Sequence, residues 1–298
     1  PPTPQYPHLA PPVPQHSKPA TTPPPLPQHP SQHQLPSCPP PTNNAYWTAQ
    51  FSPSIPVTHN FRHELGAHGW GNNESQNYTA DPSNSFHTPD ARLVVRAIAQ
   101  NGQYTSARLT SHQTLARRRG YLTATLIAPC ASGIWPAFWL LPADPFTWPV
   151  DGEVDIFEAW NGDPVNHSCL HWGHFNGEDW NKHRVMETPV PDLGAGRPHT
   201  FGLAWIEEDG MPEWRGRLVW YIDGRPVMKA SIPQGTRRME DFRILINVAM
   251  GGNVCQGKLP ESGAYDLVVS DLKMCEEPVG GWSAFEMDWE CAVEGKMM

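Results

Sequence analysis

Residues 151–158 read Asp151-Gly152-Glu153-Val154-Asp155-Ile156-Phe157-Glu158, an apolar ribbon with carboxylates at three of its last six positions. Val, Ile and Phe between the charges suit a strand with a buried face. Side chains alternate along a strand, so Glu153 and Asp155 share one face while Glu158, five positions after Glu153, points to the other. A single β-bulge with Ile156 or Phe157 as the extra residue would turn all three acids onto one face. A solvated acidic surface is the usual meaning of a charge run, but the residues between these charges are apolar. Calcium loops draw their oxygens from Gly-, Asn- and Asp-rich turns, not from an apolar strand.

Working outward from this ribbon, Arg92–Ile98, Tyr121–Ile127, Phe201–Ile206, Leu218–Ile222 and Ile244–Val248 are short runs rich in β-branched or aromatic residues. Gly, Pro, Asn or Asp clusters separate most of them, and no long apolar pattern of period 3.6 competes. Asp223-Gly224 is a hairpin turn that closes Leu218–Ile222 onto Pro226–Ala230. The chain is therefore expected to be all-β, with two antiparallel sheets packed face to face as the simplest way to bury so many strands.

Three carboxylates so close cannot all ionise freely, which leaves a protonated acid beside an ionised one. That pairing suits retaining cleavage of a glycosidic bond, where carboxyl groups roughly 5–5.5 Å apart serve as nucleophile and as acid then base. At Glu153-Val154-Asp155-Ile156-Phe157-Glu158 the chain resembles glycoside hydrolase family 16, the laminarinase-like β-glucanases, in the bulged form of that family's signature. Gly69-Trp70-Gly71-Asn72-Asn73-Glu74 with Tyr78-Thr79, Tyr104–Arg108, Gly133–Pro142 and Asn247–Asn253 look like the same family, in the same order, across roughly residues 45–275. The resemblance implies a concanavalin A-like β-jelly-roll sandwich whose concave sheet carries a β-glucan, with Glu153 as nucleophile, Glu158 as acid/base and Asp155 as the assisting carboxylate. Family members often continue Trp-Pro-Gly after Gly251-Gly252-Asn253. Here Val254-Cys255-Gln256-Gly257 follows, which implies an altered sugar subsite.

Around the acids, five residues are candidate substrate contacts. Trp135 and Trp139 are four apart and so share a strand face, as sugar platforms if that face is the concave one and as core if not. Arg108 could bind sugar hydroxyls or hold a carboxylate ionised, against a surface ion pair worth little. Asn72 lies in a turn that can reach sugar hydroxyls or can simply be a turn. His171 is expected to touch substrate or the acids, with a structural role equally open, and metal ligation by His171 and His174 lacks a third ligand.

The composition narrows the partners. The chain has 298 residues and a formal charge of −9, which argues against nucleic acid, since phosphate binding needs basic surface. Its 13 Trp suit sugar rings, although more than half are expected in the core. Cys38, Cys130, Cys169, Cys255, Cys275 and Cys291 show no zinc-ligand spacing, so no metal site is expected; up to three disulfides among 15 connectivities remain open. No cofactor is expected, and a structural calcium ion is compatible with the family without a ligand set being placed. Of three glycosylation sequons, at Asn73, Asn77 and Asn166, Asn166 is the preferred acceptor because the other two lie near the cleft.

Residues 1–44 hold 17 of the 35 prolines with Gln and His and no acidic residue, the composition of a disordered polyproline-like arm. Residues 45–275 are expected to form the catalytic sandwich that the resemblance implies, and 276–298, with Trp282, Phe285 and Trp289 among acids, an extension packed on it. No stretch approaches the ~18 apolar residues of a membrane helix, and no charged-then-apolar leader is visible. An extracellular or cell-wall location is what the resemblance implies, and a monomeric state is expected. The rival functions are a wall transglycosylase, a hydrolase of another β-glycan such as galactan, and a lectin-like glucan binder without turnover.

Overall fold

A computed structural model describes residues 44–174 and 176–297, so the proline-rich arm lies outside the described residues up to position 43. The described chain is a β-jelly-roll sandwich. One sheet has seven antiparallel strands in the order His183–Pro189, Val165–His171, Glu153–Glu158, Ile134–Pro142, Phe242–Met250, Arg108–Thr114 and Phe61–Glu64. The acidic ribbon thus lies third from one edge. A ten-stranded sheet covers the other face and includes Leu93–Gln100, Arg119–Ile127, His199–Glu207, Trp214–Ile222 and Gly263–Cys275.

Alternation decides what each face carries. Phe138 and Leu140 turn inward from one strand and Ile244 and Ile246 from its neighbour, against Phe201, Leu203 and Trp220 of the other sheet. Burying such side chains stabilises the sandwich by about 1.5–3 kcal/mol each. Residues between them in sequence, such as Trp135, Trp139 and Asn247, project from the opposite face. The expected hairpin is present: Ile222 pairs with Arg225, and both Asp223 and Gly224 have positive φ, as a two-residue type I′ turn requires.

Four of the expected strand segments sit inside longer observed strands and the fifth, Arg92–Ile98, overlaps Leu93–Gln100, but Val165–His171 and His183–Pro189 carried no alternation to betray them. Their sequences, VNHSCLH and HRVMETP, are polar because the groove-side positions are polar and the second strand is a sheet edge. The expected extension, residues 276–298, contains a helix. Gly281–Cys291 is a helix whose Phe285 is fully buried with Tyr121, Val219 and Tyr221 on the outer face of the ten-stranded sheet. Arg217 pairs with Glu286, and Tyr221 donates to Asp288 at 3.0 Å, which fixes the helix along that face.

The five described cysteines, Cys130, Cys169, Cys255, Cys275 and Cys291, are free. Among the described residues no helix is long and apolar enough to cross a membrane.

Candidate active site

The acidic ribbon is bulged at Ile156. Against strand Ile134–Pro142, Asp155 stands opposite Trp139 and Phe157 opposite Phe138, so Ile156 has no partner of its own. Ile156 and Phe157 therefore both enter the core, where Phe157 packs on Phe201 with ring centroids 4.6 Å apart. The extra residue returns Glu158 to the other face, where it lines the same groove as Glu153 and Asp155.

A bulge disrupts the ladder, and buried backbone groups need other partners. On the side facing Val165–His171, regular pairing ends at Asp155. The Asn166 side chain takes over: its Oδ1 accepts the Glu158 N–H at 3.1 Å, and its Nδ2 donates to the Ile156 carbonyl at 3.4 Å and to Ser168 Oγ at 3.0 Å. From the opposite sheet, the Trp220 indole donates to the Asp155 carbonyl at 2.8 Å. The expectation of a glycan on Asn166 is thereby corrected, because its side chain has no exposed surface and is committed to the bulge. Asn73 and Asn77 are exposed.

The groove encloses about 550 Å³. Its walls are built from indoles that hold the acids. Trp135 Nε1 donates to Glu158 Oε1 at 2.8 Å, and Trp148 Nε1, from the loop just before the ribbon, donates to Glu153 Oε2 at 2.9 Å. Trp139 lines the groove too and donates to Asn247 Oδ1 at 2.8 Å. Arg108 is clamped between the rings of Trp70 and Trp139, 4.7 Å from each centroid, with its guanidinium toward the groove. Asn72 lines the same groove. Gly252 lets this turn approach, since an added Cβ would fall 2.5 Å from the Asn72 carbonyl oxygen.

Burial and crowding raise all three acids. Burial pushes Glu153 up to about 7, opposed by the Trp148 N–H and by Arg108. Glu158 rises to about 8, through burial and the Glu153 charge, with the Trp135 N–H pulling the other way. Asp155, 2% exposed, is held well above the carboxylate range by burial and by both neighbours. Burial and mutual repulsion in such a set favour an ionised carboxylate beside a protonated one.

His171 lies on the adjacent strand, directly across from Glu153. Its Nε2 is 3.9 Å from Glu153 Oε1, 3.5 Å from Asp155 Oδ2 and 3.1 Å from Cys169 Sγ. Burial, with His183 nearby, lowers its pKa to about 4, so the ring is neutral at ordinary pH. Several groove residues had no role assigned from sequence. Trp148 and Phe146 line the groove from the stretch Asp144–Val150, whose aromatic and proline content was a usable signal. Glu74, buried and raised by that burial, accepts from Gln76 at 2.6 Å and from Tyr78 at 3.2 Å. Asn166 and Trp220, which support the bulge, left no signal, because each acts on the backbone of another strand.

Residues 72–188 match the family model described as "XgeA-like, catalytic GH16 domain". A glucan endo-1,3-beta-glucosidase of Cryptopygus antarcticus is 30% identical over 217 residues, 65% of this chain and 76% of the relative. Glucan endo-1,3-beta-glucosidase A1 of Niallia circulans is 26% identical over 250 residues, 74% of this chain, and the chain spans only 35% of that relative's length. Among solved structures, the laminarinase from Rhodothermus marinus superposes with a TM-score of 0.65 at 26% identity, covering 79% of this chain and 98% of that one.

Proposed function

The chain belongs to glycoside hydrolase family 16, and on that footing we propose that it cleaves internal bonds of β-1,3-linked or mixed β-1,3/1,4-linked glucan with retention of configuration. Glu153 is the nucleophile. Glu158 protonates the leaving oxygen while Glu153 attacks the anomeric carbon, giving a covalent glycosyl-enzyme and a shortened chain. Glu158, now a carboxylate, takes a proton from water as that water displaces Glu153, and the acid form is restored. Asp155 stands between the two and tunes the ionisation of Glu153.

The observation that carries this proposal is the bulge at Ile156, which gathers Glu153, Asp155 and Glu158 onto one face of an aromatic groove. Trp135 and Trp139 offer ring faces to sugars, and Arg108 and Asn72 offer donors to hydroxyls. A neutral polymer needs no charge steering, in keeping with the acidic chain. The site suits a secreted enzyme acting on wall or environmental glucan, as the family resemblance implies.

The test is hydrolysis of laminarin followed by NMR. The first product formed should be the β-anomer, and Glu153→Gln and Glu158→Gln should each lower kcat by at least a thousandfold while still binding laminarin. Near-normal turnover by either variant, or an initial α-anomer, would overturn the assignment.

A further inference from the structure

Beside the acidic ribbon, strand register adds to Asp155 two side chains, Cys169 and His171, to which the proposed glycosidic steps give no role. Asp155 pairs across from Cys169, and Glu153 from His171, so the Cys169 thiol and the His171 ring join Asp155 on one face. One ligand atom from each of Asp155, Cys169 and His171 lies within 4.8 Å of the other two. Among the described residues this is the one group of three such side chains within ligating reach. Asp155 Oδ2 faces His171 Nε2 and has no hydrogen-bond partner, although it is wholly buried. An orphaned carboxylate oxygen beside a thiol and an imidazole nitrogen is the donor set of a borderline-soft divalent cation.

We propose that Asp155, Cys169 and His171 form a binding site for zinc or a chemically similar divalent cation, and that its occupation withdraws Asp155 from the catalytic group. In a tetrahedral zinc site, with Zn–N and Zn–O near ~2.0 Å and Zn–S near ~2.3 Å, ligand atoms stand roughly 3.3–3.6 Å apart. The observed 3.5 Å from Asp155 Oδ2 to His171 Nε2 falls in that range, whereas the 3.1 Å from His171 Nε2 to Cys169 Sγ is shorter, so Cys169 Sγ must move outward by about 0.5 Å to ligate. His171 ligates as the neutral ring, and the Cys169 thiol and the Asp155 carboxyl each lose a proton to solvent as the metal binds. The His171 side chain is 34% exposed, which gives the ion a route in, and three crowded carboxyls favour a positive charge at this depth. Glu153 Oε1, 3.9 Å from His171 Nε2, is the nearest candidate for the open fourth position, so a bound ion also competes for the proposed nucleophile.

The sequence alone gave no metal site, because Cys169 and His171 are two apart on a strand and the third ligand comes from its neighbour. The cluster's geometry is independent of the glycosidic assignment, and only the inhibitory consequence rests on it.

The test uses the full chain with Co²⁺ as a spectroscopic probe and Zn²⁺ as competitor. Wild type should show a near-ultraviolet thiolate-to-cobalt charge-transfer band that saturates at one equivalent and is displaced by Zn²⁺, and Zn²⁺ should raise its Tm. Cys169→Ser should lose the band and bind Zn²⁺ at least tenfold more weakly, and His171→Gln should weaken it likewise if the serine variant folds poorly. The histidines of residues 1–43 cannot produce a thiolate band, and one from Cys38 in the same segment would persist in Cys169→Ser. A band that persists in Cys169→Ser, placing the metal on another thiol such as exposed Cys291, or no band in wild type, overturns the site. Zn²⁺ should also slow laminarin hydrolysis by wild type at least tenfold more than by Cys169→Ser, each measured against its own metal-free rate. Because the band needs no turnover, loss of the hydrolase assignment would leave this result standing.

Discussion

Trp220, buried in the ten-stranded sheet, donates its indole N–H across the core to the carbonyl oxygen of Asp155 in the facing sheet, at 2.8 Å. The carbonyl sits at the residue just before the bulge, where regular pairing on one side has ended. Trp220→Phe keeps most of the ring volume and leaves that carbonyl unpaired. It should cost about 1–3 kcal/mol of stability, the price of a buried unsatisfied acceptor. Denaturant unfolding of both proteins checks this, and a loss below about 0.5 kcal/mol would mean the bond does not hold the bulge.

Asn166 supports the other flank. Asn166→Ala removes partners from both the Ile156 carbonyl and the Glu158 amide, so the proposed acid/base loses its fixed position. Misplacement by about 1 Å can lower rate by about a hundredfold. The variant should lose at least tenfold in kcat with KM changed less than threefold, and intact-protein mass spectrometry of the wild type from a glycosylating host should find no glycan on Asn166.

Activity should follow a bell-shaped pH profile. Turnover needs Glu153 ionised and Glu158 protonated, so it falls below about 7 and above about 8 if burial sets the two values as described. The indole donors favour the charged forms. Trp148→Phe should therefore move the acidic limb of kcat/KM upward, and Trp135→Phe the alkaline limb upward. Limbs that stay in place would show that these bonds do not set the ionisation.

The same shifts make a statement about stability. A carboxyl whose folded value exceeds its unfolded value contributes fully only below the unfolded value of 4.5, and that contribution is lost as pH rises through the folded one. Glu158→Gln removes the group that must ionise in a buried place. Its Tm should match wild type near pH 4 and exceed it at pH 8.5, by the equivalent of 1–3 kcal/mol in order of magnitude. A variant less stable than wild type at pH 8.5 would contradict the sign.

Much of this site was legible because the ribbon carries its own evidence: acids at positions 153, 155 and 158 make sense on one face only with an extra residue, and Ile156 is that residue. Trp135 and Trp139 were legible as a shared face for the same reason of period. What stayed hidden depends on contacts between distant segments. Cys169 and Asp155 meet through strand register, Trp220 reaches Asp155 across 65 positions, and Asn166 looks in sequence like an exposed sequon while its side chain is buried. The closing helix Gly281–Cys291 was also unread beyond its apolar content, since three aromatics among acids fit several conformations until the sheet supplies a surface.

That helix has a practical bearing on how the enzyme can be handled. A fragment cut after Cys275 would keep every groove residue and yet uncover Tyr121, Val219 and Tyr221, while Arg217 would lose both Glu286 and the flanking rings of Phe285 and Trp289. The groove would be retained, but the bared outer side of the sandwich would favour self-association of the fragment.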